Sequence, residues 1–375
     1  MKKEERNACA IKTSIGGQAL MEGIMMRGPK KTALSVRTPK GEIVTEVEDT
    51  KGVNRPKICK LPIIRGIFGY IDSMVVGYKA LMRSAELAGL NEIVEEKPKK
   101  KNSVEQAEPA EAVPETSEEP KAYEEAESKK TEEKKEEKKL PAWVMTLTMI
   151  VSVVLGFAIA IGLFVYVPSK LFELFVRVVP NAQREANGAA LNSLIKSAFE
   201  GVLKVILLVA YMSVISLEKD IKRTFMYHGA EHKTIFCYEA GLPLTVENVR
   251  LQRRYHPRCG TSFLILMVLV SIFISFFIDP IAIAISGSTL PTLPRVLVRL
   301  ALIPLIVGLG YELIKFAGRH DNWFTRMISA PGVWLQHITV KEPTDDMIEC
   351  AIASVNEVIP DDGSDRIESK RGVLK

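Results

Sequence analysis

Tyr227-His228-Gly229-Ala230-Glu231-His232-Lys233-Thr234-Ile235-Phe236-Cys237-Tyr238-Glu239 holds two of the chain's five histidines and one of its five cysteines. Wound as a helix, it sets His228 and His232 one turn apart on a single face, with Glu231 beside them. Two imidazoles at i and i+4 can reach one divalent cation. The order His-x-x-Glu-His is that of the inverted zinc-protease motif, in which the histidines hold metal and the glutamate is the general base. A structural reading competes with this one. His228 could cap a helix end, His232 could be a satisfied core histidine, and Gly229 weakens the helix on which the spacing depends.

The stretch follows directly on an apolar run, so its site is expected to lie against a membrane. Four runs are long and apolar enough to cross a bilayer: 143–167, 198–217, 263–285 and 296–316. Trp143 stands at the edge of the first as an interfacial anchor, and Asp279-Pro280 interrupts the third late. Between the second and third runs lie Lys219, Lys222, Arg223, Lys233, Arg250, Arg253, Arg254 and Arg258. The loop after the first run carries Lys170, Arg177 and Arg184, and the last short loop only Arg295. The positive-inside bias therefore places the basic loop, all the histidines and both termini in the cytoplasm. Lys196, Glu200 and Lys204 repeat at i, i+4 and i+8 in the second run; the structural reading has them near its outer end, reaching for headgroups.

Outside the spans the composition changes sharply. Residues 1–60 read as a small β-rich cytoplasmic unit, with a hairpin of 34–37 and 42–47 about Pro39-Lys40-Gly41. The four-glycine stretch 16–29 before it reads as a surface loop; the functional alternative has Glu22 or Arg27 facing the metal or a ligand. Residues 61–90 carry an apolar stripe at helical spacing with Arg65, Asp72, Lys79 and Glu86 on another face, which suits an interfacial helix. In 91–139 roughly half the residues are Lys or Glu, a composition expected to stay disordered as a tether. The segment 318–375 reads as a cytoplasmic tail with one helix capped by Thr344, and 361–375 as disordered.

Net charge is +5, without a basic stripe, so no nucleic-acid partner is expected; the basic residues flank apolar runs and point to membrane lipids. Five scattered cysteines imply no disulfide framework, and the polar start 1–10 shows no signal peptide.

A metal site needs further ligands. His256 and Cys259 in Tyr255-His256-Pro257-Arg258-Cys259-Gly260 are spaced like a ligand pair, and Glu312 at the cytoplasmic end of the fourth run fits loosely as the downstream glutamate, as do His320 or Asp321.

Taken together, the run Gly16 to Pro29, Tyr227 to Lys233, His-Pro-Arg-Cys-Gly-Thr at 256–261 and Pro-Thr-Asp-Asp-Met-Ile-Glu at 343–349 resemble the YqhQ-like family of bacterial membrane proteins. The resemblance covers nearly all of the chain outside the charged tether. It implies a four-span membrane protein, labelled in the family as a predicted metal-dependent enzyme, and it raises the standing of Glu22 and Arg27.

The expected molecule is an α-helical polytopic membrane protein with four transmembrane helices. It has a small N-terminal β-containing unit, a charged linker, and a transmembrane region 140–317 that includes the His/Cys loop 218–262. His228 and His232 are the first ligands of a divalent metal, zinc, with His256, Cys259 and Glu312 as candidates for the rest and Glu231 as the base. Substrates would be membrane peptides, membrane proteins or lipid headgroups. Two other classes stay open: a non-enzymatic membrane scaffold or assembly factor with a structural metal clip, and a transporter using Lys196, Glu200 and Lys204. The sequence does not give an oligomeric state.

Overall fold

The computed structural model describes residues 11–50, 56–89, 142–179, 188–320 and 322–367. The tether expected at 91–139, the polar start 1–10 and Asp321 lie outside them. By its internal contacts the chain divides into Met1–Val94 with Ala160–Lys375, and Glu95–Ile159. Of the second unit the described part is helical, the beginning of α2 (Ala142–Ile161).

The first unit opens with an antiparallel sheet, β1 (Gly16–Leu20), β2 (Gly23–Arg27), β3 (Lys31–Arg37) and β4 (Ile43–Asp49), in that order. The β3–β4 hairpin turns where Gly41 has φ +88°. The glycine-rich stretch is not a surface loop: it forms β1 and β2, paired Gly16 to Arg27 through Leu20 to Gly23. Turn chemistry misleads there, because the glycines serve close approach within a sheet. Alternation sorts the sheet's two faces. Ile24, Met26 and Ala33 join Tyr227, Ala230, Met347, Ile348 and Val355 in one core. Leu20, Met25, Leu34 and Val36 face Ala80 of α1 (Ile64–Leu87) and Ala88 just after it in another.

The helices continue with α3 (Val167–Val178), α4 (Gly188–Ile215), α5 (Lys219–Glu239), the short α6 (Val246–Arg250), α7 (Gly260–Ser286), α8 (Thr292–Ala301), α9 (Ile303–Arg319), α10 (Trp323–Thr339) and α11 (Asp345–Val358). Among the described residues three helical stretches are long and apolar enough to cross a membrane, Val151–Val178 (running from α2 through α3), Leu191–Ile215 and Gly260–Ser286; α8 and α9, bent by 43°, would make a fourth span if counted as one. The fourth run is thus broken rather than straight. Pro304 lies in the first turn of α9, where its ring cannot sit in an uninterrupted helix. α4 packs on α7, and α7 also contacts α9 and α10.

Two expectations for the tail are corrected. Residues 323–339 form a second helix, α10, with Pro331 in its interior. Of the segment 361–375 expected to be disordered, 368–375 lies outside the described residues and 361–367 is ordered: Asp365 is fully buried, accepting bonds from the hydroxyls of Thr13 (2.6 Å) and Tyr238 (3.0 Å).

Candidate metal centre

α5 is the platform of the site. Glu218 precedes it in extended conformation and Asp220 sits in its first turn, where a carboxylate favours the positive helix end. From Tyr227 to Cys237 every residue is buried, because β1 and α11 pack against this helix. Gly229 makes that packing possible. A Cβ there would lie 2.0 Å from the carbonyl oxygen of Lys341, so the segment after α10 crosses α5 at glycine contact distance. The helix-weakening residue of the sequence is therefore the one that lets the helix be covered.

His228 and His232 project from α5, and Cys259 caps the N-terminus of α7. One ligand atom from each of the three lies within 4.8 Å of the others, and all three residues are buried; the group could hold a metal ion. The imidazoles are fixed from behind. His228 Nδ1 donates to the carbonyl of Thr339 at 3.0 Å, and His232 Nδ1 to that of Arg254 at 2.6 Å. A carbonyl can only accept, so both rings carry their proton on Nδ1 and turn an Nε2 lone pair inward. His228 Nε2 lies 3.0 Å from Cys259 Sγ. His232 Nε2 is buried and makes no hydrogen bond of normal geometry, with Cys259 as its near neighbour. An inward lone pair left unmatched is what a ligand awaiting a cation presents.

The electrostatics agree. Burial raises the Cys259 thiol, but His232, the Thr261 hydroxyl and the Thr261 amide at 3.4 Å outweigh it, and the group is held below its ordinary value. Burial lowers His232 and His256, against opposite pulls from Cys259 and Glu239. Burial pushes the Glu231 carboxyl up to about 7, against pulls from His228 and the Gly17 amide. That amide, on edge strand β1, donates to Glu231 Oε1 at 3.1 Å. A Cβ on Gly17 would come within 3.0 Å of the Glu231 carboxyl carbon. Gly17 also lines an open cleft of about 420 Å³ with Gly16, Gln18, Arg27, Gly28 and Ser73.

The remaining sequence candidates lie elsewhere. His256 is 5.6 Å from His232 between ring centres, but its Nε2 faces Glu239 at 3.7 Å, outside the three-ligand group. Glu312 is not brought to the cluster at all; it is held by Arg65 of α1 and by the Ile63 amide at 3.4 Å. Glu22 has φ +50° and grips Arg223 through two bonds of 2.5 Å, one turn before the histidines, with Tyr227 donating at 3.3 Å. Arg27 lines the cleft. His320 and His337 stack on Phe316 and Tyr255.

Sequence reasoning missed Glu239, the most connected residue here. It accepts from Arg258 and from the Thr13 amide at 2.9 Å. Burial would raise its carboxyl, yet His256 and Arg258 bring it down to about 2. Gln336, also missed, clamps the loop: it accepts from the His256 amide and donates to the His256 carbonyl, each at 2.8 Å. Glu239 was findable, since it follows His232 by seven residues on the same helical face. The carbonyls of Thr339 and Arg254 leave no trace in residue type.

A bundle of apolar helices beside a sheet-supported His/His/Cys group defines the class. The chain belongs to the family described as protein of unknown function, DUF1385, whose model matches residues 61–361. It is 33% identical over 353 residues to the uncharacterized protein YqhQ of Bacillus subtilis (strain 168), covering 93% of each chain. No solved structure matches.

Proposed function

We propose that the chain is a multi-pass membrane protein, with both termini and the α5 platform on the cytoplasmic side. In this reading it holds a divalent metal, zinc, on His228, His232 and Cys259 and hydrolyses a substrate at the membrane surface. The observation that carries the metal reading is the convergence of the two Nε2 atoms and Sγ within 4.8 Å, with both Nδ1 positions tied to carbonyls and His232 Nε2 unmatched. Two nitrogens and a thiolate suit zinc, and three protein ligands leave a fourth position, the pattern of catalytic sites. The ion, when bound, supplies Lewis acidity and an acidified water.

The chain's own residues do the rest. Glu231, next to His232 in the chain, three residues after His228 and held by the Gly17 amide, takes the proton. Gly17 both lines the cleft and donates to Glu231, and Arg27 on the cleft wall can orient an anionic part of the substrate. Substrates in this position are membrane peptides or lipid headgroups. Burial of all three ligands favours a second reading, a structural clip in a membrane scaffold. Glu231→Gln separates the two. Retained zinc with loss of hydrolysis, read on membrane peptides and phospholipids as substrates, is the expected result. Unchanged turnover in the variant would remove Glu231 from the chemistry.

A further inference from the structure

A second polar group lies inside the apolar helices. Glu200 of α4, 1% exposed, accepts from Ser169 at 2.9 Å and from Arg299 at 2.7 Å. Arg295 donates to Asp279 of α7 at 2.8 Å, both residues buried. Lys196 interacts electrostatically with Glu200, Asp279, Arg295 and Arg299, which joins the two pairs into one group. Lys204, one turn beyond Glu200, feels both Glu200 and Arg299.

The charges do not balance. Among the described residues Lys196, Lys204, Arg295 and Arg299 face Glu200 and Asp279; Glu173, which also feels Lys196, is already paired with Lys170 at 2.8 Å, so an excess of two positive charges is left. Lys204 is 8% exposed and makes no hydrogen bond or ion pair among the described residues. Arg299 Nε is buried without a partner. Lys204 is the fourteenth residue of the 25-residue stretch Leu191–Ile215, about 16 Å or more from either end at ~1.5 Å per residue, too deep to be a plain headgroup contact. An unpaired ammonium at such depth is strongly unfavourable without an anion beside it. Arg295 and Arg299 stand one turn apart on α8, the short arm of the bent pair, and broken helices in apolar bundles are where ions are held.

We propose that Lys204, Arg299 and Lys196 form a binding site for an oxyanion of the phosphate class, either free phosphate or a phospholipid headgroup, independent of the His/His/Cys group. Guanidinium and ammonium donors against several acceptor oxygens, with a surplus of two charges, match that chemistry.

The test uses the full chain, purified in detergent without phosphate, as wild type and Lys204→Met. Melting temperature is read against inorganic phosphate, and separately in nanodiscs of phosphatidylglycerol or phosphatidylcholine. The wild type should be stabilised by phosphate or by phosphatidylglycerol over phosphatidylcholine, with apparent affinity at least tenfold weaker in Lys204→Met. The ligand-free variant should melt no lower than the wild type, because an unpaired charge has gone. A shift with phosphate identifies the free ion, and one with phosphatidylglycerol alone identifies the headgroup. No shift in either arm, or equal shifts in both proteins, overturns the site. Native mass spectrometry of the wild type decides without a variant: retention of neither ligand above phosphatidylcholine also overturns it.

Discussion

Gly229→Ala should destabilise this protein although it adds a better helix former to the middle of a helix. In an open helix the change gains about 1 kcal/mol. At Gly229 the new Cβ would stand 2.0 Å from the Lys341 carbonyl oxygen and 3.2 Å from Pro343 Cδ. The crossing segment must retreat, and it is anchored on both sides of the clash: the Lys341 amide donates to Phe225 at 2.9 Å, and the Thr339 carbonyl holds His228. Overpacking of this kind costs about 1–3 kcal/mol. Each displaced hydrogen bond adds about 1 kcal/mol. The net loss is about 2–4 kcal/mol after the helix gain, a fall of several degrees in melting temperature. Zinc affinity should fall about 10–100-fold, since the bond that orients His228 is the one displaced. Gly156, with nothing within 4 Å of its would-be Cβ, is the matched control, where alanine should be neutral or stabilising. Differential scanning fluorimetry and a zinc competition titration read both effects. A Gly229→Ala protein that melts at or above the wild type with unchanged zinc affinity would refute the crossing.

Acid should weaken the junction of the N-terminus, α5 and the loop before α7. A carboxyl held at about 2 contributes stability that is complete above its unfolded value near 4.5 and is lost as pH falls from there toward 2. Glu239→Gln should lower stability at neutral pH by up to about 3 kcal/mol and flatten the acid limb of a pH–melting curve; an acid limb equal to the wild type's would count against the role of Glu239. For topology, a reporter fused after Arg254 should be cytoplasmic, and activity of an external reporter at that position would invert the arrangement.

The parts legible in the sequence were those written in side-chain period. The i, i+4 histidines, the stripe of α1 and the long apolar runs follow from spacing alone, as does the β3–β4 hairpin from its Pro-Lys-Gly turn. What was not legible depended on partners distant in the chain. β1 and β2 looked like a loop because glycine signals turns, whereas Gly17 here serves contact with Glu231 across 214 positions. His256 and Cys259 share one short motif, yet Glu239 draws the first aside while the N-terminus of α7 turns the second to the histidines. Glu312 had a plausible position along its helix and a stronger partner in Arg65, which no local pattern announces.

The central claim is that His228, His232 and Cys259 hold a metal. Elemental analysis of freshly purified protein, beside the His228→Ala, His232→Ala double variant, tests it most directly. The account predicts one equivalent of zinc in the wild type and its loss in the variant, with membrane insertion intact. No metal in the wild type even after reloading, or metal retained by the double variant, would contradict it.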